Sequence, residues 1–193
     1  MNGLKFEKNI IRSEMLESRL AVSPDVLADA QEKMTARFIK LASFRFADTI
    51  LLYSAIKGEP DVTAIIAEAK KAGKRIAFPK CYPDELRMEY RFVDSAGELA
   101  SGAYGIPEPP DSAELYVPSP DKHDICIVPA VCYDRNGYRI GYGRGYYDRF
   151  LAGFGGTAVG FTLSELLAER LPRGKFDKKV DIIITEKGVF SPK

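Results

Sequence analysis

The amino-acid sequence predicts an α/β fold: a single domain whose mainly parallel sheet is flanked by helices. Three observations carry that prediction. Short apolar runs of strand length alternate with stretches of helical periodicity along the whole chain, the pattern that builds a sheet covered by helices. The 193 residues, 46% hydrophobic and 28% charged, suit one soluble unit, which can bury roughly 70% of its unfolded surface without a staple. No internal repeat, linker or low-complexity tract divides the chain.

The elements follow in order. Residues 4–20 read as a first helix. Ser23-Pro24-Asp25 then offers an N-cap, a first-turn proline and an acid at the positive end of a second helix. In it Leu27, Ala30, Met34, Phe38 and Leu41 recur at spacings of three and four and mark one buried face. Residues 50–53 read as a short buried strand that ends at the turn Lys57-Gly58-Glu59-Pro60, and Asp61 is expected to cap a helix that stops at Gly73. Residues 75–78 form the next strand, which Pro79 is expected to halt. Residues 86–92 alternate apolar and charged, so one face of that strand meets solvent. Residues 94–121 are rich in Gly, Pro and Ser and form a long irregular excursion, a kind of segment uncommon without a task. Strands at 124–128, 158–161 and 180–184, with helices near 145–152 and 164–170, complete the pattern.

Composition narrows the function. With 28 basic and 27 acidic residues well mixed, the net charge is +1, which argues against a polymeric nucleic-acid partner. Three cysteines without a Cys-x-x-Cys pair read as reduced thiols. His123, beside Asp121 and Asp124, is the only histidine, so zinc sites and Ser-His-Asp chemistry drop out. No signal sequence or 18-residue apolar run occurs, so a cytoplasmic chain without a membrane partner is expected, acting as a monomer.

In open α/β sheets, function gathers beyond the carboxyl ends of the strands. Three segments fall there: 53–60, 79–84 and 129–148. The last has an unusual recipe. Gly137, Gly141, Gly143 and Gly145 alternate with Arg139 and Arg144, Asp148 follows, and five of the ten tyrosines lie between Tyr133 and Tyr147. Closely spaced glycines let backbone N–H groups approach an anion, arginines suit phosphate, tyrosines offer flat faces and Asp148 can hold a cation. The spacing Gly141-x-Gly143-x-Gly145 fits neither the dinucleotide fingerprint nor a Walker loop. On glycine spacing alone, a flexible surface turn remains the alternative.

The run from Val128-Pro129 through Tyr133-Asp134, Gly137 and Arg139-Ile140-Gly141-Tyr142-Gly143-Arg144-Gly145-Tyr146-Tyr147-Asp148-Arg149 resembles the signature of the 5-formyltetrahydrofolate cyclo-ligase family. Lys8-x-x-x-Arg12, the segment Tyr53 to Glu59, Tyr104-Gly105-Ile106-Pro107 and Leu171-Pro172 with Asp177 fall in the family's order, so the resemblance spans about residues 5–190. It implies a fold like that of sugar-phosphate isomerases and CoA-transferases. It also implies ATP and Mg2+-dependent closure of 5-formyltetrahydrofolate to 5,10-methenyltetrahydrofolate through a phosphorylated formyl group, with reduced folate and ATP as the partners. Lys8, Arg12, Arg139, Gly141, Gly143, Arg144, Gly145 and Tyr147 are then the ATP residues, with Arg144 on the transferring phosphoryl group. Ser54, Glu59, Tyr104, Tyr142 and Tyr146 fall to the folate, and Asp148 and Asp177 to the metal. Arg149 is expected to pair structurally. Cys81, Ser164 and Phe176 depart from the family's usual residues, which bears on folate affinity more than on reaction type. The alternatives are a non-catalytic relative that binds nucleotide or folate, and a sugar-phosphate isomerase or CoA-transferase of similar fold, which would need no ATP.

Overall fold

Apolar residues on both faces of the central strands organise the molecule. The computed structural model describes residues 2–119 and 123–192, so Asp121, near the end of the excursion and beside His123, lies outside the described residues. Its elements are α1 (Asn2–Leu20), α2 (Pro24–Phe38), α3 (Ala42–Phe46), β1 (Thr49–Leu51), α4 (Ala64–Lys71), β2 (Arg75–Tyr82) and β3 (Arg87–Val93). Then come β4 (Ala100–Ser101), β5 (Pro107–Glu108), β6 (Ile125–Val128), β7 (Cys132–Asp134), β8 (Arg139–Ile140), α5 (Tyr146–Leu151), β9 (Thr157–Phe161), β10 (Leu167–Ala168), β11 (Ile182–Ile184) and β12 (Val189–Phe190).

The main sheet has seven strands in the order β12-β11-β9-β6-β1-β2-β3. The pairs β1–β2, β1–β6, β6–β9 and β9–β11 are parallel, and only the edge strands β3 and β12 run antiparallel. The expected mainly parallel α/β sheet is therefore present. Its strands are buried on both sides. Ile50, Leu52, Ile125 and Ile127 pack with Met34, Phe38 and Ile65 of α2 and α4, while Leu51, Cys126 and Val128 face Tyr133 and Tyr146, as the alternation of strand side chains dictates. Asp124 latches the entry of β6: its two carboxylate oxygens accept from the Thr49 N–H (3.0 Å) and the Tyr116 hydroxyl (2.8 Å).

The connectivity runs from β1 outward to β2 and β3, then returns to β6 on the other side of β1. The strand order thus reverses between β1 and β6, and in such sheets that reversal opens a crevice at the strands' carboxyl ends. The chain leaving β1 carries Glu59, and the chain leaving β6 carries the glycine loop.

Four local expectations change. Pro79 does not halt β2, which continues to Tyr82. Its pairing partner Tyr90 turns its carbonyl outward to Tyr116, so Pro79 faces away from β3, on a side where β1 has already ended, and its missing N–H costs no ladder bond. The segment 164–170 is not a helix but a single 3-10 turn, Ser164–Leu166, followed by β10. Leu167 and Ala168 gain strand hydrogen bonds to β7 instead. Asp61 does not cap α4 directly. Its carboxylate accepts from the Thr63 N–H and hydroxyl, both at 2.9 Å, in a turn before the helix. Strand β11 begins at Ile182, because Val180 turns aside to donate its N–H to the Gly137 carbonyl. The excursion runs along the outer edge of β3, where Glu114 accepts from Phe92 N–H and Tyr116 donates to the Tyr90 carbonyl, and so covers an otherwise open strand edge.

Candidate active site

At the exit of β1, the Tyr53 hydroxyl donates to the Pro60 carbonyl at 2.7 Å and pins the turn that presents Glu59. Lys57 and Gly58 take left-handed backbone angles there. Glu59 is turned inward and only 5% exposed. Its Oε2 accepts from the Ile56 N–H at 3.1 Å, whereas Oε1 is buried without a hydrogen-bond partner. The nearest cation is Arg19 at the end of α1, 3.9 Å from Oε1 and equally buried. Burial pushes the Glu59 carboxyl from its ordinary 4.5 up to about 7, while the Ile56 N–H, Arg19 and Tyr142 pull the other way.

The glycine loop begins after the β7–β8 hairpin. Arg12 of α1 donates from Nε to the Gly141 carbonyl at 2.6 Å, and its guanidinium lies against Gly143. Gly145 adopts φ +69°, a left-handed geometry that starts α5. The Tyr146 hydroxyl is 3.0 Å from that of Tyr104, and the Arg144 guanidinium sits 5.6 Å over the Tyr104 ring. Tyr104 itself is held at φ +59°, a strained setting of the kind found at functional sites. Ser54 donates to the Pro107 carbonyl at 2.7 Å and ties the Glu59 segment to this part of the excursion.

Asp148 and Asp177 meet at one segment. Asp148 Oδ1 accepts from Arg139 Nη2 (2.9 Å) and from the Lys178 N–H (3.1 Å), while Arg139 Nη1 donates to the Lys178 carbonyl (2.6 Å). Asp177 Oδ2 accepts from the Gly174 N–H (2.7 Å) and pairs with Lys8. Lys8 and Arg12, four residues apart, project from one face of α1. This end of the sheet therefore carries a glycine loop, two carboxylates held at one segment, a pair of facing tyrosines and a buried glutamate.

A family model for the 5-formyltetrahydrofolate cyclo-ligase family matches residues 5–186. The chain belongs to that family. It is 26% identical to a probable 5-formyltetrahydrofolate cyclo-ligase of Schizosaccharomyces pombe, covering 97% of this chain and 98% of the relative. It is also 26% identical to the Escherichia coli K12 cyclo-ligase, over 90% and 97%. The solution structure of Aquifex aeolicus 5,10-methenyltetrahydrofolate synthetase superposes with a TM-score of 0.81 at 35% identity, covering 95% and 92% of the two chains. The Mycoplasma pneumoniae synthetase, at 22% identity, shares the fold with a TM-score of 0.74. The chain is thus an enzyme of the cyclo-ligase family, with that family's α/β fold.

Against the family's motif, the structure gathers Lys8, Arg12, Gly141, Gly143, Arg139, Asp148 and Asp177 on the α1 side of the glycine loop. Tyr104, Arg144 and Tyr146 assemble on the other side. Tyr142 leans toward Glu59 through Arg19, whose Nη2 donates to its hydroxyl at 2.6 Å. Tyr147 is not brought to the glycines: it packs into the core, its hydroxyl 3.4 Å from that of Tyr90. Arg149 donates to the carbonyls of Leu86 and Arg144. Cys81 sits beside Glu108, which accepts its backbone N–H, and burial raises its thiol to about 12. Ser164 bonds Glu186, and Phe176 is largely exposed. No described helix is long and apolar enough to cross a membrane.

Arg19 escaped the sequence reading. An arginine in the last turn of a helix reads as a solvated complement to the helix dipole. The available signal was its place seven residues after Arg12, on the same face of α1.

A magnesium ion fits the carboxylates in chemistry. Asp148 and Asp177 each present one oxygen free of protein hydrogen bonds among the described residues. No group of three or more candidate ligand side chains occurs among those residues, but magnesium takes only one or two carboxylates alongside phosphate oxygens and water.

Proposed function

We propose that the chain closes 5-formyltetrahydrofolate to 5,10-methenyltetrahydrofolate at the expense of ATP, with ADP and phosphate as the other products. The observation that carries this reading is the meeting of the Glu59 turn and the glycine loop at one strand-order reversal, bridged by Arg19. The formyl oxygen attacks the γ-phosphorus and ADP leaves. N10 then adds to the activated carbon and loses its proton, and phosphate departs with the former formyl oxygen. Such transfer depends on positioning and on neutralising charge rather than on a protein nucleophile.

In this reading Lys8, Arg12 and the backbone N–H groups of Gly141, Gly143 and Gly145 draw in the polyphosphate. Arg144 meets the transferring phosphoryl group, and its availability is supported by its making no ion pair among the described residues. Asp148 and Asp177 would hold magnesium, which neutralises phosphate charge when bound. Glu59 and Ser54 face the pterin and formyl end, with Tyr104, Tyr142 and Tyr146 as flat walls. The protein acts as a monomer in this reading, and the free thiols at Cys81, Cys126 and Cys132 are in keeping with a reducing cytoplasm.

The test is direct. Purified protein with 5-formyltetrahydrofolate and Mg-ATP should generate the absorbance of the methenyl product, and omitting ATP or adding a chelator should abolish it. Turnover without nucleotide, or none with every component present, would overturn the reading.

A further inference from the structure

Arg19 holds three separate segments at once. Its Nε donates to the Lys57 carbonyl at 3.0 Å, Nη1 to the Ala130 carbonyl at 2.9 Å and Nη2 to the Tyr142 hydroxyl at 2.6 Å. Nη1 also stands 3.9 Å from Glu59 Oε1, and both side chains are almost fully buried. The three segments are the Glu59 turn after β1, the exit of β6 and the glycine loop. A planar guanidinium can satisfy three acceptors lying in different directions, which a lysine ammonium on its flexible stem matches poorly.

The groups that face Glu59 are Arg19 from α1, Tyr53 from its own segment, Tyr133 from β7, Tyr142 from the glycine loop and Tyr147 from α5. Arg19 is the cation in that set. A buried carboxylate without an adjacent cation protonates instead of staying charged. The 3.9 Å gap is too long for a hydrogen bond, so the buried Oε1 keeps an acceptor that no protein donor uses.

We propose that Arg19 is a positioning residue for the reaction: it fastens the Glu59 turn to the glycine loop and aims the Glu59 carboxylate at the folate. The proposal rests on the assignment of Glu59 to the folate. It makes one side chain responsible for the alignment of two half-sites that lie more than eighty residues apart in sequence.

The test combines carboxyl-carbon NMR titration of Glu59 with calorimetric binding of 5-formyltetrahydrofolate, from about pH 6 to about pH 9, on the full chain. Arg19→Gln should move the Glu59 midpoint upward by about one unit and weaken folate binding about tenfold at neutral pH, with partial recovery in alkali, up to the affinity of Arg19→Lys, which lacks the same tether. A merely structural role would not produce that alkaline recovery. Arg19→Lys should leave the midpoint near wild type, yet weaken folate binding across the range because the tether to Tyr142 is lost. An unmoved midpoint in folded Arg19→Gln overturns the proposal. A moved midpoint with unchanged folate affinity overturns the folate role of Glu59 and the proposal with it, leaving Arg19 as a structural contact. Should Arg19→Gln fail to fold, Arg19→Lys decides: wild-type folate affinity in that variant overturns the proposal.

Discussion

Glu59→Gln should change how the stability of this protein depends on pH. The Glu59 carboxyl is raised from 4.5 to about 7 in the folded chain, chiefly by burial. At about 1.4 kcal/mol per unit, the ionised side chain costs the fold at most about 3 kcal/mol. The sign follows from the direction of the shift. The folded state binds the proton more tightly than the unfolded state, so the contribution is fully present below about 4.5 and is lost as pH rises through about 7. Glutamine keeps the shape but does not titrate. The charge opposite Arg19 exists in wild type only where Glu59 is ionised, and its attraction is already contained in the value of about 7; in the variant Arg19 keeps the Lys57, Ala130 and Tyr142 oxygens as acceptors. Thermal denaturation of both proteins between about pH 5 and about pH 8 isolates the difference. For a chain of this size 1 kcal/mol corresponds to about 2–4 °C. The melting temperature of wild type relative to Glu59→Gln should therefore fall by up to about 6–12 °C across that range. Parallel curves would refute the buried, uncompensated state of Oε1.

Four further outcomes follow from neighbouring contacts. Asp148→Asn retains acceptors for Arg139 and the Lys178 N–H, so melting should change little. Turnover should nevertheless fall about 100-fold or more if the carboxylate serves the metal, and magnesium titration of the rate checks this. Asp148→Ala should also cost about 2 kcal/mol in urea unfolding, because it removes the oxygen that accepts from the nearly buried Arg139 and from the Lys178 N–H. Arg144→Ala should lower kcat by about 10³-fold with little change in KM for ATP, and steady-state kinetics showing the reverse would make Arg144 a ground-state ligand. Gly137→Ala should lose about 2 kcal/mol or more in urea unfolding, since at φ +86° its Cβ would lie 2.6 Å from the Val180 carbonyl oxygen.

Legibility in the sequence tracked whether the physics was local. The strands at the centre were readable because burial on both faces requires an unbroken apolar run, as in Ile125–Val128. The start of α2 was readable because Ser23 caps through its own neighbourhood, accepting from the Val26 N–H. The β7–β8 hairpin was hidden, because its residues Cys132–Asp134 and Arg139–Ile140 carry the composition of a loop and earn strand geometry from a partner at 167–168. Pro79 misled for a related reason: its cost depends on which neighbour its nitrogen faces, and that is a property of the sheet.

The candidate site shows the same division at the level of charge. The family resemblance marked Lys8, Arg12, Arg139, Asp148 and Asp177 one at a time, each as a prospective ligand. In the folded chain they are already partnered: Lys8 with Asp177, Arg139 with Asp148, and Arg12 with the Gly141 carbonyl. These contacts let like charges collect around one loop, because an unpaired charge held at low exposure is costly. On the proposed assignment, a polyphosphate competes with two carboxylates and a carbonyl for the same donors, whereas Arg144, over the Tyr104 ring and without an ion pair among the described residues, has no such competitor. How freely each cation can turn to a ligand is thus set by pairing across the fold. The motif lists the cations but not their prior commitments.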